Sequence, residues 1–155
     1  MKAITLWQPW ASFIAVGIKP FETRDWAPPK WLIGKRIAIH AAKKRVDLSN
    51  LEWAHRCGIE GEPPLGAVVC TAILAGAYQC GAHVRDGGGQ LCATILSVRD
   101  GSRHQRVAWL TAGIPVDDYG DFSNGRWAWW LTDIERHVPI AAKGAQGFWN
   151  WEPPP

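Results

Sequence analysis

The run Gly66 to Leu74, rich in Val and Ile, constrains the fold more than any other stretch of the chain. This mostly apolar run, with Val68, Val69 and Ile73 and bounded by Pro63-Pro64 on one side, reads as a buried strand. Such a strand needs neighbours, and the sequence offers them. Ala3 to Leu6 is a short strand. Phe21 to Trp26 alternates, with Glu22, Arg24 and Trp26 on one face and Phe21, Thr23 and Asp25 on the other. Arg36 to Ala41 places Ile37 and Ile39 opposite Ala38 and His40. Arg126 to Ile134 places Trp127, Trp129 and Leu131 opposite Ala128, Trp130 and Thr132. Gly87-Gly88-Gly89 marks a turn before a second arm, Leu91 to Val98, inside the otherwise unpatterned stretch Gln79 to Arg106.

Helical signals are fewer. Pro9 suits a first helical turn, Trp10, Phe13 and Ile14 follow at i, i+3, i+4, and Gly17 supplies a stop. A second helix is expected over Asp47 to Cys57, capped by Asp47 or Ser49, with Leu51, Ala54 and Cys57 facing inward. Neither a repeat nor a long linker divides the 155 residues. The economical architecture is one domain over residues 1–155, mostly β (α+β), a small barrel with two short flanking helices.

Composition excludes several classes. With 47% hydrophobic residues and a net charge of +3, the chain is not disordered over most of its length. No window offers the eighteen or so apolar residues that span a bilayer. Pro9 interrupts the one apolar stretch near the start and no small-residue cleavage site follows, so a cytoplasmic protein without a membrane partner is expected. Cys57, Cys70, Cys80 and Cys92 form no Cys-x-x-Cys pair and read as reduced, buried thiols. Cys80, His83, Cys92 and His104 lack the tight paired spacing of a zinc site. Asp117, Asp118 and Asp121 read as an exposed turn. No dinucleotide fingerprint or P-loop is present, so no metal and no cofactor is expected.

Charge is uneven. Residues 1–45 hold nine basic and two acidic groups, a net +7, while the remaining 110 residues carry −4. A basic third is the footprint of a phosphate-binding face, or of a solvated surface that is merely uneven. Eleven tryptophans add flat rings that serve cores and base stacking alike. Trp127, Trp129 and Trp130 cannot all face one way, and Trp10 lies on the helix's packing stripe. His40 beside small alanines reads more readily as a hydrogen-bonded core histidine than as a catalyst. Lys43-Lys44-Arg45 reads as a solvated run that adds salt-dependent affinity wherever nucleic acid binds.

The densest reactive cluster is Gly17-Ile18-Lys19-Pro20-Phe21-Glu22-Thr23-Arg24. Lys19 and Arg24 suit a phosphate, the one as a point charge and the other as a flat fork. Glu22 suits a base edge, the orientation of Lys19, or general base chemistry. A structural Glu–Arg pair beside a lysine accounts for the same residues.

Gly17-x-Lys19-x-x-Glu22-x-Arg24 after a short helix resembles the signature of the ASCH domain, in the PUA-like superfamily of small β-barrels. Leu6-Trp7-Gln8-Pro9-Trp10-Ala11-Ser12, Ile39-His40-Ala41-Ala42-Lys43 and Lys143-Gly144-Ala145-Gln146-Gly147-Phe148-Trp149 resemble the activating signal cointegrator-type branch. The four blocks in order cover essentially the whole chain. The resemblance implies nucleic-acid binding, RNA favoured over DNA, in a cleft lined by Lys19, Glu22 and Arg24. Trp7, Gln8, Trp26, His40, Lys43, Lys143, Gln146 and Trp149 are the implied neighbours. Some ASCH relatives hydrolyse nucleic acid or acylated nucleosides, which makes a hydrolase with Lys19 and Glu22 as catalytic residues the alternative. In the acetylcytidine branch, however, a Thr stands three positions after the Lys, where this chain has Glu22. Thr23 points to the other strand face, so that triad does not carry over. A tryptophan-rich module for an unnamed protein partner is a third class.

Overall fold

The computed structural model describes residues 1–44, 55, 59, 61–100, 114–116 and 118–154. The expected helix Asp47 to Cys57, except His55, lies outside them, as do Arg45, His104 and Asp117. Eight strands and one α-helix are described: β1 (Lys2–Leu6), α1 (Trp10–Ala15), β2 (Phe21–Arg24), β3 (Arg36–Ala41), β4 (Ala67–Arg85), β5 (Leu91–Asp100), β6 (Ile114–Pro115), β7 (Trp127–Ala141) and β8 (Phe148–Asn150). A 3-10 turn covers Lys30–Leu32. The chain is mostly β with few helices, as its patterning requires. The strand order β2-β7-β4-β3-β1-β8 is open, with β5 on β4 and β6 on β5. No ladder among the described residues joins the two end strands, so hydrogen bonding does not close the expected barrel.

The described residues fall into two compact units, each assembled from separate stretches of chain. The first comprises residues 1–20, 36–73 and 132–155. Here β1 runs parallel to β3, from Lys2 opposite Ile37 to Leu6 opposite Ala41. β8 is antiparallel to β1, with Ala3 opposite Trp149. β3 is antiparallel to β4 and residues 37–41 are all buried, which is why the strand reads as an apolar run on both faces. A register shift between Ile39 and His40 leaves Val69 as the extra residue of a bulge, a device that re-aims the neighbouring side chain. Ala3, Ala38, Val68 and Trp151 form a core cluster, with Ile140, Ala142 and Trp149 against it. α1 buries Ala11 through Ala15. Gly17, at φ +81°, ends it in the left-handed conformation that favours glycine. The N–H groups of Ile18 and Lys19 then return to the Phe13 carbonyl, at 3.1 and 3.2 Å.

The second unit comprises residues 21–35 and 74–131. β2 pairs with β7 so that Glu22 lies opposite Trp129 and Arg24 opposite Trp127. Phe21, Tyr78, Cys80, Ala93, Ile114, Phe122 and Ala128 form its core. β4 and β5 make the expected hairpin, turning at Gly87-Gly88-Gly89. The Asp86 carboxylate accepts from the Gly88 and Gln90 N–H groups there, both at 2.9 Å. β2 stops at Arg24, so Trp26 lies past the strand that sequence alternation carries through it.

Candidate functional site

In the first unit the chemistry gathers where β1 and β3 end. Because these strands are parallel and in register, the residues that follow each leave the sheet side by side. The Ala42 N–H donates to the Leu6 carbonyl at 2.8 Å. Beyond that bond, the Lys44 ammonium stands 4.0 Å from the centre of the Trp7 ring, a cation–π contact. Trp7 is 60% exposed. Its neighbour Gln8 is buried, donating from Nε2 to the Pro64 carbonyl at 2.8 Å and accepting the Ser12 N–H at 3.1 Å. Gln8, implied as a ligand neighbour, therefore frames the loop. The Lys43 stem lies across Gly66. The Gly66 carbonyl in turn accepts the Ala142 N–H at 3.0 Å, which brings exposed Lys143 to the same end of the sheet.

His40 sits beneath this end, 1% exposed. Its Nε2 is 3.1 Å from the Ala142 carbonyl. A carbonyl only accepts, so Nε2 carries the proton. Burial lowers the imidazole's pKa, the Ala142 bond opposes that shift, and the Lys43 charge adds to it. The neutral ring leaves Nδ1 as a bare acceptor without a partner among the described residues. Trp149 meets the ring edge-on at 5.5 Å and donates its indole N–H to Thr5 Oγ1 at 3.1 Å. His40 and Trp149 are thus packed groups here, and Gln146 is exposed. Lys19, also in this unit, is 1% exposed, a burial that lysine accepts only with partners.

In the second unit Glu22 and Arg24 share a strand face, as their alternation requires. Arg24 Nε lies 3.0 Å from Glu22 Oε1, the side chains 29% and 8% exposed. Two tryptophans of β7 line the same face. Trp26 packs edge-on against Trp129 at 4.8 Å, and the Trp129 indole donates to the Trp26 carbonyl at 3.3 Å. Trp129 is fully buried, so it serves the core. Arg99 covers Trp127 at 5.2 Å and donates to the Pro28 carbonyl at 2.7 Å. Thr23, on the other face, accepts the Asp121 N–H at 2.9 Å.

Among the described residues no group of three or more His, Cys, Asp or Glu side chains is placed to hold a metal. Burial pushes the Cys70 and Cys80 thiols up to about 12 and about 11, and raises that of Cys92. Protonated thiols of this kind are inert structural groups. No described helix is long and apolar enough to cross a membrane.

The ASCH domain family model matches residues 4–133. Among solved structures, an ASCH protein from Zymomonas mobilis aligns at 19% identity, covering 90% of this chain and 72% of that one, with a TM-score of 0.46. Two single-substitution variants of it align similarly. One has 19% identity, 90% and 74% coverage and a TM-score of 0.46. The other has 20%, 90%, 72% and 0.47. No curated protein matches.

Proposed function

The chain belongs to the ASCH domain family, a PUA-like fold associated with RNA binding, and from that premise we propose that it binds nucleic acid, single-stranded RNA in preference to DNA. The observation that carries this reading is the Lys44 ammonium on exposed Trp7, at the end of the sheet where Lys43 and Lys143 also lie. Separate segments bring three cations and one flat ring to this end, which is what a phosphate backbone with unpaired bases requires. Lys19, Glu22 and Arg24 belong to the proposal as the family motif. Arg24, about a third exposed, is its member most open to a phosphate. A small PUA-like barrel, one domain over residues 1–155, the cointegrator-type branch and a cytoplasmic setting are the finer parts of the same reading.

The test is anisotropy of a labelled single-stranded RNA across a salt series. Each phosphate contact contributes a slope of about 0.7 in log affinity against log salt. Alanine at Lys43, Lys44 and Lys143 together is expected to lower the slope by about 2 units. An unchanged slope and affinity would remove this end of the sheet from the account.

A hydrolase is the second reading, favoured by the near-complete burial of Lys19 and Glu22, which a solvated charged face does not show. In it, Glu22 acts as base and a cation stabilises the developing negative charge. RNA and acylated nucleosides, incubated with the protein and weighed by mass spectrometry, would gain or lose mass in a Glu22-dependent way. Intact substrates, or turnover that survives Glu22→Gln, would dismiss it.

A further inference from the structure

We propose that Trp7 is the platform on which one unpaired base stacks, and that Lys44 changes partner when it does, leaving the indole face for the phosphate of the same strand. The inference rests on the nucleic-acid reading and deepens it. It assigns the occupant of the ring face and the step by which that face is vacated.

Three observations carry it. The ring is open, at 60% exposure, so a base reaches it without rearrangement of the core. Its backbone is fixed on both sides. Leu6 is buried and bonded to Ala42, while Gln8 is locked by Pro64 and Ser12. A platform held in this way loses little freedom on binding. The ring also already holds a cation 4.0 Å from its centre. An exposed ammonium–indole contact is weaker than the stacking of a base on the same face. Displacing Lys44 therefore costs less than stacking returns, and the freed ammonium stands next to Lys43, where the strand's phosphates are drawn.

The geometry selects single strands. A base pair inside a duplex keeps both faces stacked on its neighbours, whereas an exposed ring covered only by the Lys44 ammonium offers its face to an unpaired base.

The experiment measures anisotropy of a labelled oligouridylate of about eight nucleotides, and of an RNA duplex, over a salt series. The proteins are the full chain and its Trp7→Ala, Trp7→Phe and Lys44→Ala variants. Unchanged thermal unfolding controls for folding, and Trp7 is exposed enough to be replaced. Trp7→Ala is expected to weaken single-strand binding at least tenfold at an unchanged salt slope, with Trp7→Phe recovering most of the loss. Duplex binding should change less than twofold. Lys44→Ala should reduce the slope by about 0.7, one phosphate contact. Wild-type protein that binds while Trp7→Ala stays within twofold of it overturns the platform. An unchanged slope for Lys44→Ala overturns the change of partner. Wild-type protein that binds neither RNA overturns the nucleic-acid reading itself, an outcome distinct from the other two.

Discussion

His40 donates its Nε2 proton to the Ala142 carbonyl at 3.1 Å, tying β3 to the segment that follows β7. The ring is neutral in the fold because burial lowers its pKa. The unfolded chain then takes up a proton near the ordinary value of 6.5 while the folded protein does not. Stability from this group is complete above pH 6.5 and is lost as pH falls below it. Urea unfolding between pH 7.5 and 5 should show that loss, and Glu or Asp titration lies lower. His40→Gln, which keeps a donor for Ala142 but does not titrate, should flatten the profile over this window. An equal slope in both proteins would contradict the assignment.

Gly144 lies against the same imidazole. A Cβ there would come 2.4 Å from His40 Cε1, 2.5 Å from Nδ1 and 2.8 Å from Thr5 Oγ1. Those atoms belong to a ring packed on Trp149 and a hydroxyl already bonded to it, so they yield poorly. Gly144→Ala is expected to cost about 1–3 kcal/mol in denaturant unfolding. RNA affinity should fall with it, since Lys143 precedes the displaced residue.

Gln8 makes a cleaner stability test. Its amide satisfies the part-buried Pro64 carbonyl and one buried helix N–H. Gln8→Ala leaves both without their partner, at a cost of about 1–3 kcal/mol. Chemical denaturation should show a lower midpoint with an unchanged m-value. A variant as stable as wild type would show that water replaces the amide.

Asp133 is the one described residue other than glycine at positive φ, +47°. Arg36 holds it there, donating from Nη1 to its carbonyl at 3.0 Å and pairing with its carboxylate, while also reaching Glu135 at 3.1 Å. Asp tolerates this conformation better than residues without a polar side chain. Asp133→Ala should therefore destabilise by about 1–2 kcal/mol and Asp133→Gly by less, read from urea midpoints. Equal losses in the two variants would place the stabilisation in the carboxylate instead.

The residues that pattern cleanly were legible. Arg36–Ala41 is read to its ends, and α1 follows from Pro9, its apolar spacing and Gly17. β4 continues eleven residues past Leu74 because Gly76 and Gly81, poor strand formers by propensity, stand where neighbours approach closely. A Cβ at Gly81 would meet Thr94 Oγ1 at 2.3 Å. β7 runs on to Ala141 through charged and exposed residues, with no alternation to announce it. At the site, the Glu22–Arg24 pairing follows from period two. Gln8, implied as a ligand neighbour, braces the loop between β1 and α1. The Lys44–Trp7 contact depends on the parallel register of β1 and β3, which no local signal encodes, so Lys44 reads in sequence as part of a solvated run.

The chain passes between its two compact units four times, between residues 20 and 21, 35 and 36, 73 and 74, and 131 and 132. β4 and β7 each contribute residues to both units within one unbroken strand. No single cut in the gene yields either unit by itself, and a fragment ending between residues 21 and 130 carries incomplete pieces of both. Deletion mapping, the usual first resort for finding which part of a protein holds an activity, is therefore uninformative here. Single-residue replacement in the intact polypeptide is the route to that answer.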